Sequence, residues 1–233
     1  MTFHILTIFP AMFDSYFKES ILARAQKENK ISVKIYDIRK YTADKHRKVD
    51  DTPYGGGAGM VMKVEPIYNT IKQEKLDQLP NRRIALLSAR GKNFNQAMAE
   101  SYKKLDHLVL IAGRYEGVDQ RVADNLCDEE ISVGPYVLSG GELPAMTVVD
   151  AVSRLIPGVL GNEESLKEES YNTASQVAGP TKPRVLSSSK GEERSREYPQ
   201  YTKPEIFQGW SIPEILKTGH HGKIADWRSK MAK

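Results

Sequence analysis

The sequence is poor in the residues that build covalent or metal-held frameworks. Cys127 is the only cysteine among 233 residues, so no disulfide can form within the chain. No cysteine cluster exists to build a zinc or iron-sulfur site either. No apolar run approaches the roughly 20 residues that a membrane span needs. The N-terminal "MTFHILTIFP" is apolar but has neither a basic leader nor a small-residue cleavage site. A reducing cytoplasm is the expected location, with no membrane partner.

Three signatures of common chemistry are also missing. No Gly-Lys-Ser/Thr follows "YGGGAGM", and no Gly-x-Gly-x-x-Gly opens a helix after the first strand, which removes P-loop and dinucleotide readings. No Gly-x-Ser-x-Gly elbow is present, and the five histidines lie outside the glycine-rich loops, which weakens a Ser-His-Asp hydrolase. The His220-His221 pair reads as exposed side chains rather than metal ligands. Neither sign of charge dominates: 34 Lys and Arg against 30 Asp and Glu give +4, which permits a polyanionic partner without demanding one. Residues 172 to 196 hold five basic and two acidic side chains and supply +3 of that excess.

What is present is an alternation. Strand-like runs at 3–9, 31–38, 83–88 and 107–113 are separated by helical patterns near 12–28, 65–76 and 94–105, and this predicts α/β architecture with a largely parallel sheet. A further helix is expected over about 142–156, with Pro144 in its first turn and Pro157-Gly158 closing it. From 162 to 197 the texture turns to Ser, Lys, Glu and Arg with few large apolar residues, and it reads as a flexible linker. Residues 198–233 carry both tryptophans in short helical patterns and read as a small helical C-terminal domain, after a first domain over 1–161.

Three glycine-rich segments carry the functional signal: "DDTPYGGGAGM" at 50–60, "AGRYEGVDQRV" at 112–122 and "SVGPYVLSGGELPAM" at 132–146. In an open α/β sheet, ligands bind beyond the carboxyl ends of the strands, where glycine lets them approach the backbone. The three segments together predict one pocket. Arg154 stands four residues after Asp150, a spacing that suits either an i,i+4 ion pair or a cation aimed at a bound oxygen.

These strings, with "LTIFPAMF", "HRKVDDTPYGGGAGM", "AVSRLIPGVLGNEES" and "YPQYTKPEIFQGWSIPEILKTGHHGKIADWR", resemble the bacterial tRNA (guanine-N1)-methyltransferases. That family transfers a methyl group from S-adenosylmethionine to the guanosine just 3′ of the anticodon, position 37 of tRNA. The resemblance implies a deep trefoil knot over about Leu86 to Pro144, a homodimer with paired knots, and tRNA bound across both subunits. It implies donor binding at Leu87, Gly113, Glu116, Ser132, Val133, Gly134, Tyr136, Leu138, Gly140, Gly141 and Pro144. It implies that the glycines bring bare backbone against adenosine, that Arg154 stabilises negative charge on guanine O6, and that Glu169 is the base. Relatives are proposed to hold a divalent cation, Mg2+, between the positions of Glu116 and Glu169.

The sequence departs from the family pattern at four places. Glu169 stands where aspartate is usual. "SARG" at 88–91 replaces a Ser-Pro-Gln-Gly type string. Residues 172–196 read as an insertion in the linker, and the chain ends at Lys233, ahead of the family's last helices.

Overall fold

A computed structural model describes residues 1–160 and 198–231. Its centre is a five-stranded, all-parallel sheet in the order β2-β1-β6-β5-β7. The strands are β1 (Thr2–Thr7), β2 (Ser32–Asp37), β5 (Arg82–Asn93), β6 (His107–Ala112) and β7 (Glu129–Ser132). Two short strands, β3 (Asp50–Asp51) and β4 (Val61–Met62), form a separate antiparallel pair. Side chains alternate across the sheet as a period of two requires. Phe3, Ile5, Ala85, Leu87, Leu108 and Leu110 face one apolar layer, while Leu6, Ile84, Leu86, Val109 and Ile111 face the other.

Helices cover both faces, as parallel strands buried on two sides demand. The first layer packs under α1 (Asp14–Phe17), α2 (Ser20–Lys27), α4 (Gln96–Tyr102) and α6 (Glu142–Ser153). The second packs under α3 (Val64–Gln73) and α5 (Gln120–Leu126). The four expected strands are present. The helix expected over 12–28 is broken, because Glu19 is extended and Ser20 has φ of 52°, which the interior of a right-handed helix does not accommodate. The break lets Phe13 and Phe17 stack 5.6 Å apart in the core while α2 turns Leu22 and Ala25 into the same layer.

The short β3–β4 pair, β7 and α5 lie outside the expected elements. β7 reads as a polar run, "EEIS", yet it pairs in parallel with β5 at the edge of the sheet. α5 lies inside a motif that reads as a loop, and the Asp119 carboxylate caps it by accepting from the Arg121 N–H at 3.0 Å. β5 also runs on past the expected end, with a register shift between Leu87 and Lys92.

Residues 198–231 differ from the helical appendage expected. A hairpin of β8 (Ile206–Phe207) and β9 (Trp210–Ser211) precedes a 3-10 turn at Glu214–Lys217 and the helix α7 (His221–Met231). This segment is held against the first 160 residues by hydrogen bonds to a buried ion pair of Asp119 and Arg121. Arg121 forks onto both Asp119 oxygens at 2.8 Å and also donates to the Thr202 and Pro204 carbonyls at 2.7 Å. Asp119 in turn accepts from the Thr202 N–H at 2.8 Å, so both charges are fully hydrogen-bonded where water cannot reach them.

Beneath the sheet's amino ends, His4 sits between Tyr36 Oη at 3.0 Å and His107 Nδ1 at 3.1 Å, only 3% exposed. Burial, then the neighbouring His107 and Lys34, push its pKa from the ordinary 6.5 down to about 4. His4 is therefore neutral in the folded chain, while the unfolded chain takes up a proton as pH falls through 6.5. Its contribution to stability is complete above that value and is lost between 6.5 and about 4, to a total of at most about 3 kcal/mol. Urea unfolding across this range is expected to show the decline, and His4→Phe is expected to flatten it.

Candidate functional site

The register shift of β5 and the carboxyl ends of β6 and β7 open into one cleft of about 320 Å3. That is where ligands enter open parallel sheets, and the volume lies at the small-ligand end of the usual range. The eleven positions implied for the donor all line it. Leu87 comes from β5, Gly113 and Glu116 from the loop after β6, and Ser132 from the end of β7. Val133, Gly134, Tyr136, Leu138, Gly140 and Gly141 come from the following loop, and Pro144 from the first turn of α6. Ser88 and Arg90 of the "SARG" string and Arg114 and Tyr115 of the second glycine-rich segment also line it, and so do Tyr198 and Gln200, which the sequence did not single out.

The two principal loops are joined by backbone. Gly141 N–H donates to Gly113 O at 2.8 Å. A β-carbon on Gly141 would lie 2.7 Å from the Ala112 α-carbon and 2.8 Å from the Gly113 nitrogen. The missing side chain at Gly141 is thus taken up by the chain's own main chain, not by open space for a ligand. Gly113 is similar, with the Val118 methyl 3.0 Å from where its β-carbon would be. Ser132 shapes the start of the loop by donating from its hydroxyl to Gly134 O at 2.9 Å.

Arg114 holds the loop's far end. It donates from Nε to Glu142 at 2.8 Å and from a terminal nitrogen to Ser139 O at 3.1 Å, with its guanidinium 4.8 Å from the Phe9 ring centre. Glu142 is fully buried and also accepts from the Thr7 hydroxyl at 2.8 Å. It lies in the first turn of α6, where the helix dipole favours a negative charge. One arginine therefore ties the cleft loop, the helix start and the end of β1 together.

The glycine run at 55–59 does not line the cleft, contrary to the expectation of three loops sharing one pocket. It is a buttress. Gly56 and Gly59 have φ of 73° and 76°, which β-carbon-bearing residues rarely adopt. The resulting turn lets Met60 O accept from Glu116 N–H at 3.0 Å while the Glu116 side chain packs directly on Gly59. On its other side the run meets Leu216, Ile224 and Arg228 of the C-terminal segment.

Arg154 stands at the C-cap of α6, about 18 Å along the helix axis from the cleft end. It does not line the cleft. Its i−4 neighbour Asp150 accepts a hydrogen bond from Tyr16, whose pKa is pushed up to about 12, first by that bond and then by burial. Glu169 lies outside the described residues, as does the whole 172–196 stretch. Among the described residues, no group of three or more His, Cys, Asp and Glu side chains could hold a metal ion, and no helix is long and apolar enough to cross a membrane. Burial pushes the Cys127 thiol well up, which keeps it protonated.

Comparison with known proteins gives a consistent result. The family model described as tRNA (Guanine-1)-methyltransferase TrmD matches residues 1–233. A tRNA (guanine-N(1)-)-methyltransferase of Chloroflexus aggregans is 47% identical over 228 residues, covering 98% of this chain and 81% of its own. One from Dictyoglomus turgidum is 48% identical, with 98% and 83% covered. The crystal structure of the tRNA (m1G37) methyltransferase from Aquifex aeolicus is 34% identical with a TM-score of 0.64, covering 99% of this chain and 88% of that one.

The glycines of the cleft separate by experiment. Gly141→Ala is expected to cost about 1–3 kcal/mol, since the backbone must part to admit it. In Gly134→Ala the atoms nearest the added β-carbon belong to the Tyr136 ring, which can swing away, and the change is expected to cost less. Thermal unfolding of the two variants is the measurement; equal losses would contradict the packing account.

Proposed function

The chain belongs to the tRNA (guanine-1)-methyltransferase family, and from that premise we propose that it transfers a methyl group from S-adenosylmethionine to N1 of guanosine 37 in tRNA. The observation that carries this reading is the convergence of the eleven matched donor positions on one cleft at the register shift of β5 and the carboxyl ends of β6 and β7. Much of that lining is main chain, at Gly113, Gly134, Gly140 and Gly141. Amide and carbonyl groups read a purine edge without long polar side chains. The donor supplies an electrophilic methyl on a sulfonium sulfur, which leaves as a thioether.

The chain's own residues have two tasks. Guanine N1 carries a proton that must leave as the methyl arrives, and its loss places charge on O6. Glu169 is the acceptor of that proton in this reading. Glutamate and aspartate differ little in acidity, roughly 4.3 against 3.9, so Glu169 in place of aspartate changes reach more than basicity. Arg154 is a fixed cationic donor suited to the developing oxyanion. Its place about 18 Å along α6 from the cleft supports a homodimer in which it serves the partner's cleft. Phe9, Met12, Tyr16, Leu138 and Leu143 are 37–56% exposed, an apolar surface that such an interface would cover.

The close passage of Gly141 under Ala112 and Gly113 supports the trefoil knot that the family implies. Mg2+ between Glu116 and Glu169 belongs to the same reading, as does a cytoplasmic location beside the tRNA substrate.

Saturating S-adenosylmethionine is expected to raise the melting temperature, because the donor binds only the folded state. Glu169→Gln should keep that protection yet lose about 10² to 10⁴ in the single-turnover rate of methyl transfer to a guanosine-37 transcript. Glu169→Asp should lose much less. A Glu169→Gln variant at the wild-type rate would remove the base role.

A further inference from the structure

Two side chains from the C-terminal segment, Tyr198 and Gln200, form part of the cleft wall. They are far in sequence from the loops that make up the rest of it, and they are fixed in place by the adjoining residues. Gln200 O accepts from Gln120 N–H at 2.8 Å, at the start of α5. Tyr201 O accepts from Tyr54 N–H at 2.7 Å, and the Thr202 hydroxyl donates to Thr52 O at 2.7 Å. Thr202 N–H reaches the Asp119 carboxylate, and Arg121 takes the Thr202 and Pro204 carbonyls. Three consecutive residues, 200 to 202, are thereby fastened to the body of the protein beside the loop that carries Glu116.

The Tyr198 ring is itself held. The Arg228 guanidinium of α7 lies 4.7 Å from its centre and donates to Gly56 O in the glycine run. That run also packs on Glu116 through Gly59. Tyr198 therefore belongs to the side of the cleft that Glu116 lines and the glycine run buttresses from behind, whereas the backbone crossing of Gly113 and Gly141 is lined by main chain suited to the donor nucleoside.

An enzyme that works on a base within a folded RNA must take that base out of its stack and replace the lost contact. An aromatic ring does so for any base, at about 1–3 kcal/mol per stacked pair. A ring with a cation on one face and a cleft before it meets that need. The same helix carries Lys223 and Lys230 on its exposed surface, where phosphates flanking an extracted nucleotide would find counter-charges.

We propose that Tyr198 is the surface on which the target guanine stacks, a substrate-binding residue that Arg228 and the Asp119–Arg121 pair hold at the mouth of the cleft. The proposal rests on the methyltransferase reading above and adds to it the residue that receives the acceptor base.

The test compares the wild-type chain with Tyr198→Leu and Tyr198→Phe, using an unmodified tRNA transcript with guanosine at position 37. Donor affinity by calorimetry and single-turnover methyl transfer at subsaturating tRNA are read for each. Tyr198→Leu is expected to lose roughly 10- to 100-fold in transfer while binding donor as the wild type does, and Tyr198→Phe to stay close to wild type because the ring is retained. A tRNA carrying the fluorescent purine 2-aminopurine at the target position is expected to be quenched on the wild-type protein. Wild-type transfer from Tyr198→Leu, equal losses from the Phe and Leu variants, or donor affinity falling in step with rate would each overturn the proposal. Unquenched 2-aminopurine on the wild-type protein would do the same, even if the Leu variant does not fold. A wild-type chain that transfers no methyl group would instead overturn the activity on which the proposal rests.

Discussion

Everything in the cleft depends on one close passage of main chain, where Gly141 lies against Ala112 and Gly113 and donates its N–H to the Gly113 carbonyl. Two loops that leave different strands can share a wall only if nothing larger than hydrogen separates them there. Once they meet, α6 must begin where it does, and Glu142 falls within reach of both Thr7 and Arg114. The buried carboxylate then has its partners, and the loop over 134–140 has an anchor at Ser139. A change at the crossing would be felt by the helix start, the arginine and the end of β1 together, because these groups satisfy one another.

A second constraint acts from the other side. The C-terminal segment could have been an independent appendage, but Arg121 makes it part of the cleft. Its guanidinium has no exposed surface to lose, and each of its contacts is to a carboxylate or a main-chain carbonyl. Such a pair contributes little net stability over a hydrophobic substitute, yet removing one member strands the other. The geometry is therefore specific: the main-chain carbonyls of Thr202, Pro204 and Trp210 are placed where the arginine can use them.

The sheet was legible because its strands are apolar and bounded by polar segments, and a period of two sorts Phe3 and Ile5 from Leu6 without ambiguity. β7 was not, since an edge strand of two glutamates, an isoleucine and a serine carries no such pattern. The eleven cleft positions were legible through resemblance, whereas Tyr198 and Gln200 were not, because nothing local tells a wall residue from a loop residue. The role of the glycine run is hidden in the sequence for a related reason. Positive φ and ligand approach both call for glycine, and the string "YGGGAGM" does not distinguish them. Arg154 shows the limit in another form: its spacing from Asp150 suits either a local pair or a cation aimed at a bound oxygen, and nothing in the sequence reveals that Asp150 accepts from the distant Tyr16 hydroxyl.

The two tryptophans both lie in the C-terminal segment, Trp210 against Tyr68 and Phe207, and Trp227 against Tyr201. Indole emission from this protein consequently reports on that segment alone. Trp210 is seated on α3 of the sheet domain, and Trp227 lies one residue before the arginine that holds Tyr198. A shift in emission maximum would thus register the segment lifting from the body of the molecule, in a chain bearing no label and no substitution.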